Sequence, residues 1–185
     1  MKFWQCMALV DMDQLPTLCR KAEELGYEGM SIGDHWITFE SQNEAYAYSK
    51  DSAVLWYPET HFPDPWVAIG ALSQVTTRLK FMTTVYVLPM RDPFSAAKAV
   101  STAARFAGNR VILGVGIGWQ ESEFQLAGQP FHNRGKRTDE MLDVVEKLMT
   151  GEVVDHHGAF YDFPRLQMSP GVTAPVPVMV GGRSP

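Results

Sequence analysis

Short apolar runs alternate along the chain with amphipathic segments that carry helix-start and helix-stop residues. Lys2 to Val10 predicts a first strand, after which Asp11 or Asp13 opens a helix to Leu25. Leu15, Leu18, Cys19, Ala22 and Leu25 fall at helical spacing on one stripe of it, and Gly26 ends it. Tyr27 to Ile32 predicts a second strand that closes on Gly33-Asp34-His35-Trp36. Asp64-Pro65 begins a helix to about Val75, because an aspartate cap followed by proline in the first turn satisfies the free amides there. Leu79 to Leu88 predicts a third strand, and Asp92-Pro93 repeats the helix-start device for a helix to Ala107. Arg110 to Val115 predicts a fourth strand. Arg137 to Met149 is amphipathic through Met141, Val144, Val145 and Leu148, with Gly151 as its stop. Pro177 to Val180 predicts a fifth strand, before Gly181-Gly182.

Two stretches interrupt the alternation. Residues 36–63, rich in Trp, Tyr and Phe, have no period and predict a long functional loop inserted after the second strand. Residues 152–170 alternate weakly around His-Gly-Ala-Phe-Tyr and predict a hairpin outside the main pattern. The rest reads strand, helix, strand, helix, which predicts one domain built on a parallel sheet with right-handed crossovers. On pattern alone a doubly wound sheet and a (β/α)8 barrel both satisfy this. A barrel takes eight strands and about 250 residues, so as a barrel the chain is incomplete and is expected to be a piece of a longer protein.

Composition narrows the function classes. The chain has 185 residues, 45% hydrophobic and 20% charged, enough for a substantial core. A net charge of −5 without a basic stripe argues against a nucleic-acid surface. No apolar run approaches the roughly 18 residues needed to cross a bilayer, and MKFWQCMALVDMD lacks a signal-peptide layout. Cys6 and Cys19 are expected to be reduced core thiols of a cytoplasmic protein, and no CxxC or HxxxH pair suggests a metal.

The candidate chemistry gathers at strand ends. In RVILGVGIGWQESEF, Val111, Leu113, Val115 and Ile117 alternate with Ile112, Gly114, Gly116 and Gly118. A face of three glycines is expected to leave room for something flat against the backbone. A dinucleotide fingerprint does not fit, since Trp119 or Glu121 stands where its last glycine is required. Asp34-His35 follows the second strand, where α/β proteins place functional groups, and a histidine there can exchange a proton near neutrality. Glu121 and Glu123 read as macrodipole partners of a helix start, and His156 and His157 as structural or solvated.

Taken as an ordered set, DPWVAIGALSQVTTRLKFMTTV, VILGVGIGWQESEF, RGKRTDEMLDVVEKLMTGE, HHGAFYDF and PVPVMVGG resemble the luciferase-like monooxygenase superfamily, most of all its coenzyme F420-dependent oxidoreductases. The resemblance covers nearly the whole chain. It implies a TIM barrel with about five of eight βα units present and a flavin or deazaflavin at the C-terminal mouth. It implies that Asp34 and His35 adjoin the cofactor, His35 as acid or base. It implies a non-prolyl cis peptide at Thr84-Val85 behind the ring, with Trp119 and Ser122 beside the cofactor. It places Gly181 and Gly182 at the phosphate-bearing tail, where two glycines can offer consecutive amides to an anion. Trp119 departs from the sugar-phosphate dehydrogenase of the family, where an acidic glutamate stands. The implied activity is hydride transfer between F420 and a small organic substrate. FMN-dependent monooxygenation with a flavin reductase partner, or a shortened non-catalytic flavin binder, are the alternatives; a homodimer is a further expectation.

Overall fold

The computed structural model describes residues 1–40, 46, 49 and 53–182. Its elements are β1 (Trp4–Cys6), α1 (Leu15–Glu24), β2 (Gly29–Ile32), α2 (Pro65–Leu72), β3 (Lys80–Thr83), β4 (Tyr86–Val87), α3 (Pro93–Phe106), β5 (Val111–Gly116), α4 (Glu121–Leu126), α5 (Arg134–Met149), β6 (Val153–His157), β7 (Asp162–Gln167) and β8 (Val178–Val180). One sheet runs β1, β2, then β3 continued by β4, then β5 and β8, and every pairing in it is parallel. Strands of a parallel sheet all end on one side. The segments that follow β2, β4, β5 and β8 therefore share one rim, the side where ligands bind in such folds.

The local devices read from the sequence explain the helices. Asp64 accepts the amides of Trp66 and Val67, both at 3.0 Å, and Asp92 accepts that of Ser95 at 2.8 Å. Neither Asp11 nor Asp13 caps α1. A 3-10 turn at Met12–Gln14 leads into it, without a side-chain cap. Of the stripe expected on α1, Leu15, Cys19 and Ala22 are buried, whereas Leu18 and Leu25 are exposed. On α3, Ala96, Ala97, Val100 and Ala104 are fully buried in one core with Val111, Leu113 and Val115 of β5 and with Val144 and Leu148 of α5. Cys19 lies in that core, and burial pushes its thiol up to about 12. Cys6 corrects the expectation of two core thiols: on the edge strand β1 it is exposed.

The single strand expected over 79–88 is broken. Phe81 and Met82 pair with Val111 and Ile112, whereas Tyr86 and Val87 pair with Val115 and Gly116. The step from Met82 to Tyr86 is one residue longer than that from Ile112 to Val115, so a residue is surplus and the strand bulges. The Thr84–Val85 peptide within the bulge is cis, as the resemblance implies. Thr83 repairs the interrupted ladder with its side chain. Its hydroxyl donates to the Gly114 carbonyl at 2.7 Å and accepts the Gly114 amide at 2.9 Å.

This bulge also fills the glycine face of β5, which was expected to be open to a flat ligand. A Cβ on Gly114 would lie 1.9 Å from the Thr83 carbonyl oxygen, and one on Gly116 would lie 2.2 Å from Val85 Cγ2. The glycines make room for the protein's own chain. Gly116→Ala is accordingly expected to destabilise the fold by about 1–3 kcal/mol, the usual cost of overpacking. Adding Val85→Ala should return part of that loss, because the two substitutions act on one contact. Urea unfolding of the single and double variants measures both, and an unchanged midpoint for Gly116→Ala would exclude the clash.

Residues 152–170 hold the antiparallel pair β6 and β7. Glu140 of α5 fastens the turn between these strands by accepting the amides of Ala159, Phe160 and Tyr161 and bonding His156 Nε2 at 3.3 Å. His156 is thus structural. His157 lies exposed, paired with Asp162.

Candidate active site

The segment after β2 carries the two residues on which the site is built, and they face different partners. Asp34 turns inward. Arg91 grips it with two nitrogens, at 2.6 and 2.7 Å, and the Val87 amide donates to it at 2.8 Å. Arg91 also donates to the Val87 carbonyl and stacks its guanidinium against the rings of Tyr86 and Trp36, at 4.4 and 4.9 Å. Burial pushes the Asp34 carboxyl above its ordinary range, and the guanidinium of Arg91 and the Val87 amide oppose that. Asp34, expected at the cofactor, has both oxygens committed to the protein. It ties the end of β2 to the segment after the bulge.

His35 turns towards the rim. Its Nδ1 lies 3.2 Å from an oxygen of Glu123, in the first turn of α4, and the other oxygen accepts the amides of Trp36 at 2.9 Å and Ile37 at 3.4 Å. Aromatic rings surround the imidazole: Trp56 at 4.7 Å, Phe62 at 5.1 Å and Trp119 at 6.1 Å between centroids. The side chain of Glu123 is 3% exposed and that of His35 13%. Among the described residues the indole N–H of Trp56 is buried without a hydrogen-bond partner. A shielded base, its carboxylate and one unused donor thus sit together, an arrangement suited to proton exchange with a bound oxygen.

Glu123 is the candidate-site residue that the sequence reading missed, since it was assigned to the α4 macrodipole alone. The rest of the predicted set falls into two groups. Trp119 joins the rings around His35. Val85 instead packs between Gly116 and Gly181, its Cγ1 2.7 Å from where a Cβ on Gly181 would stand, while Thr84 is exposed beside it. Ser122 lies in the first turn of α4 and accepts a hydrogen bond from Gln120 at 3.3 Å. The Gly181 amide donates to the Val115 carbonyl at 2.8 Å, so the pair does not present two free consecutive amides; Gly182 follows at the rim. Trp56 and Phe62 come from the long aromatic loop, of which residues 41–45, 47–48 and 50–52 lie outside the described residues. Among the described residues no group of three or more His, Cys, Asp or Glu could hold a metal ion, and no helix is long and apolar enough to cross a membrane. A groove of about 560 Å³ lies elsewhere, between α2 and α3; Trp66, Val67, Ala99 and Phe106 line it, and its one carboxylate, Asp64, is the cap of α2.

The model of the luciferase-like monooxygenase family matches residues 7–185. The chain belongs to that family. An uncharacterized protein from Mycobacterium tuberculosis is 39% identical over all 185 residues, and the chain spans 64% of its length. The F420-dependent glucose-6-phosphate dehydrogenase of Amycolatopsis mediterranei is 25% identical over 169 residues, 89% of this chain and 46% of that protein. The oxygenating constituent of 3,6-diketocamphane monooxygenase from Pseudomonas putida, solved with FMN, superposes with a TM-score of 0.71 at 20% identity, over 97% of this chain and 51% of that one. The luciferase-like fold therefore resolves the two sheets left open by the sequence pattern in favour of the barrel type, of which five parallel βα positions are present.

Proposed function

We propose that the protein is an F420-dependent oxidoreductase that moves a hydride between the deazaflavin and a small organic substrate, with His35 exchanging the accompanying proton. The observation that carries this reading is the His35–Glu123 pair, shielded by aromatic rings at the rim where the strands end. When bound, the deazaflavin supplies the carbon that accepts or donates hydride. The bulge at Thr84–Val85, with Thr84 exposed and Val85 between Gly116 and Gly181, suits the support of a planar ring. Asp34 and Arg91 hold the end of β2 against that bulge, so the imidazole and the ring support keep a fixed relation. Trp56, Phe62 and Trp119 exclude water from the proton-exchanging edge and favour a planar or apolar substrate. Trp119 cannot exchange a proton, which argues against a sugar phosphate; His35, paired with Glu123, is the group assigned that task.

The choice of F420 is supported by the relative from Amycolatopsis mediterranei, named for that cofactor. FMN-dependent monooxygenation is the second reading, supported by the Pseudomonas putida neighbour that holds FMN, and would require a reductase partner. Fluorescence titration of the full-length protein separates the two. Tighter binding of F420 than of FMN is expected, and the reverse order would overturn the first reading.

A further inference from the structure

We infer that Glu123 is a positioning residue that fixes the tautomer of His35, so that Nε2 is the nitrogen left free to take a proton. This deepens the proposed function and rests on it only for the use made of that nitrogen. The geometry supplies the argument. One Glu123 oxygen accepts the amides of Trp36 and Ile37, which can only donate, and the other lies 3.2 Å from Nδ1. A carboxylate has no hydrogen to give, so the ring nitrogen facing it must carry one. A neutral imidazole carries a single N–H. Placing it on Nδ1 leaves a lone pair on Nε2, at the edge of the ring remote from Glu123. Once Nε2 accepts a proton from a substrate hydroxyl, the resulting imidazolium stands beside a 3% exposed carboxylate. Attraction there is little screened by water. Glu123 thus sets which nitrogen works and then stabilises the charge that work creates.

The same residue also pins the start of the aromatic loop, a purely structural task, and the two roles separate by substitution. In Glu123→Gln the amide oxygen can still accept Trp36 and Ile37, but the group facing Nδ1 becomes an NH2 that donates. His35 must then accept at Nδ1 and carry its hydrogen on Nε2. The loop stays pinned while the tautomer reverses. Glu123→Ala loses both functions.

The test is a long-range nitrogen–proton correlation spectrum of the His35 ring in full-length protein without cofactor, alongside steady-state turnover. The unsubstituted protein is expected to show hydrogen on Nδ1 and a bare Nε2. Glu123→Gln is expected to show the reverse, with kcat lower by roughly 10²–10⁴-fold and KM changed far less. Hydrogen on Nε2 in the unsubstituted protein would overturn the assignment before any variant is made. A Glu123→Gln protein that keeps the original tautomer would overturn it equally. A reversed tautomer with unchanged turnover would support the positioning role and instead refute His35 as the proton-exchanging group, so the two failures are distinct.

Discussion

His35→Asn in the full-length protein is expected to lower kcat by roughly 10²–10⁴-fold, the usual contribution of a positioned acid or base. Asparagine keeps a hydrogen-bonding group of similar reach but has no titratable proton. The aromatic rings contact the imidazole edge-on or tilted, and their own packing leaves the pocket walls in place. Cofactor affinity should therefore change much less than turnover, because the ring support proposed at Thr84–Val85 does not involve His35. Stopped-flow hydride transfer and equilibrium titration give the two quantities separately. Near-normal turnover in the variant would make His35 structural and require another acid.

The second large effect concerns stability. Arg91→Met removes the only cation bonded to Asp34 among the described residues and leaves a carboxyl whose side chain is 1% exposed. Breaking one side of such a buried pair costs about 3–5 kcal/mol, because the remaining charge is left in a medium that cannot solvate it. The exposed Lys21–Glu24 pair, 64% exposed on both sides, is the natural control; removing it should cost at most about 1 kcal/mol. Denaturant unfolding of both variants makes the comparison. Asp34→Asn added to Arg91→Met should recover part of the loss, since a neutral amide no longer needs the guanidinium. A loss in Arg91→Met no larger than the control would mean that the Val87 amide alone satisfies Asp34.

What could be read from the sequence was the information held within a few residues. Asp64-Pro65 and Asp92-Pro93 specify their helix starts locally, and each aspartate bonds amides two or three positions ahead. The resemblance likewise located the cis peptide, because Thr84-Val85 lies within one of its contiguous stretches. The glycine face of β5 was misread because its filling comes from another strand: nothing near Gly114 or Gly116 announces that Thr83 and Val85 will occupy that space. The break in the third strand has the same origin, an extra residue visible only in register against β5. Glu123 was passed over because its partner is 88 positions away. A glutamate in a helix's first turn already has a sufficient local reason to be there.

The bonds from Glu123 to Trp36 and Ile37 are made to main-chain nitrogens, not to side chains. Evolution and laboratory selection therefore meet no penalty from this latch when they vary residues 36 and 37, with proline, which has no N–H, as the excluded residue. A library built at these two exposed positions therefore keeps the latch to Glu123, although at residue 36 it also changes the ring that Arg91 stacks against.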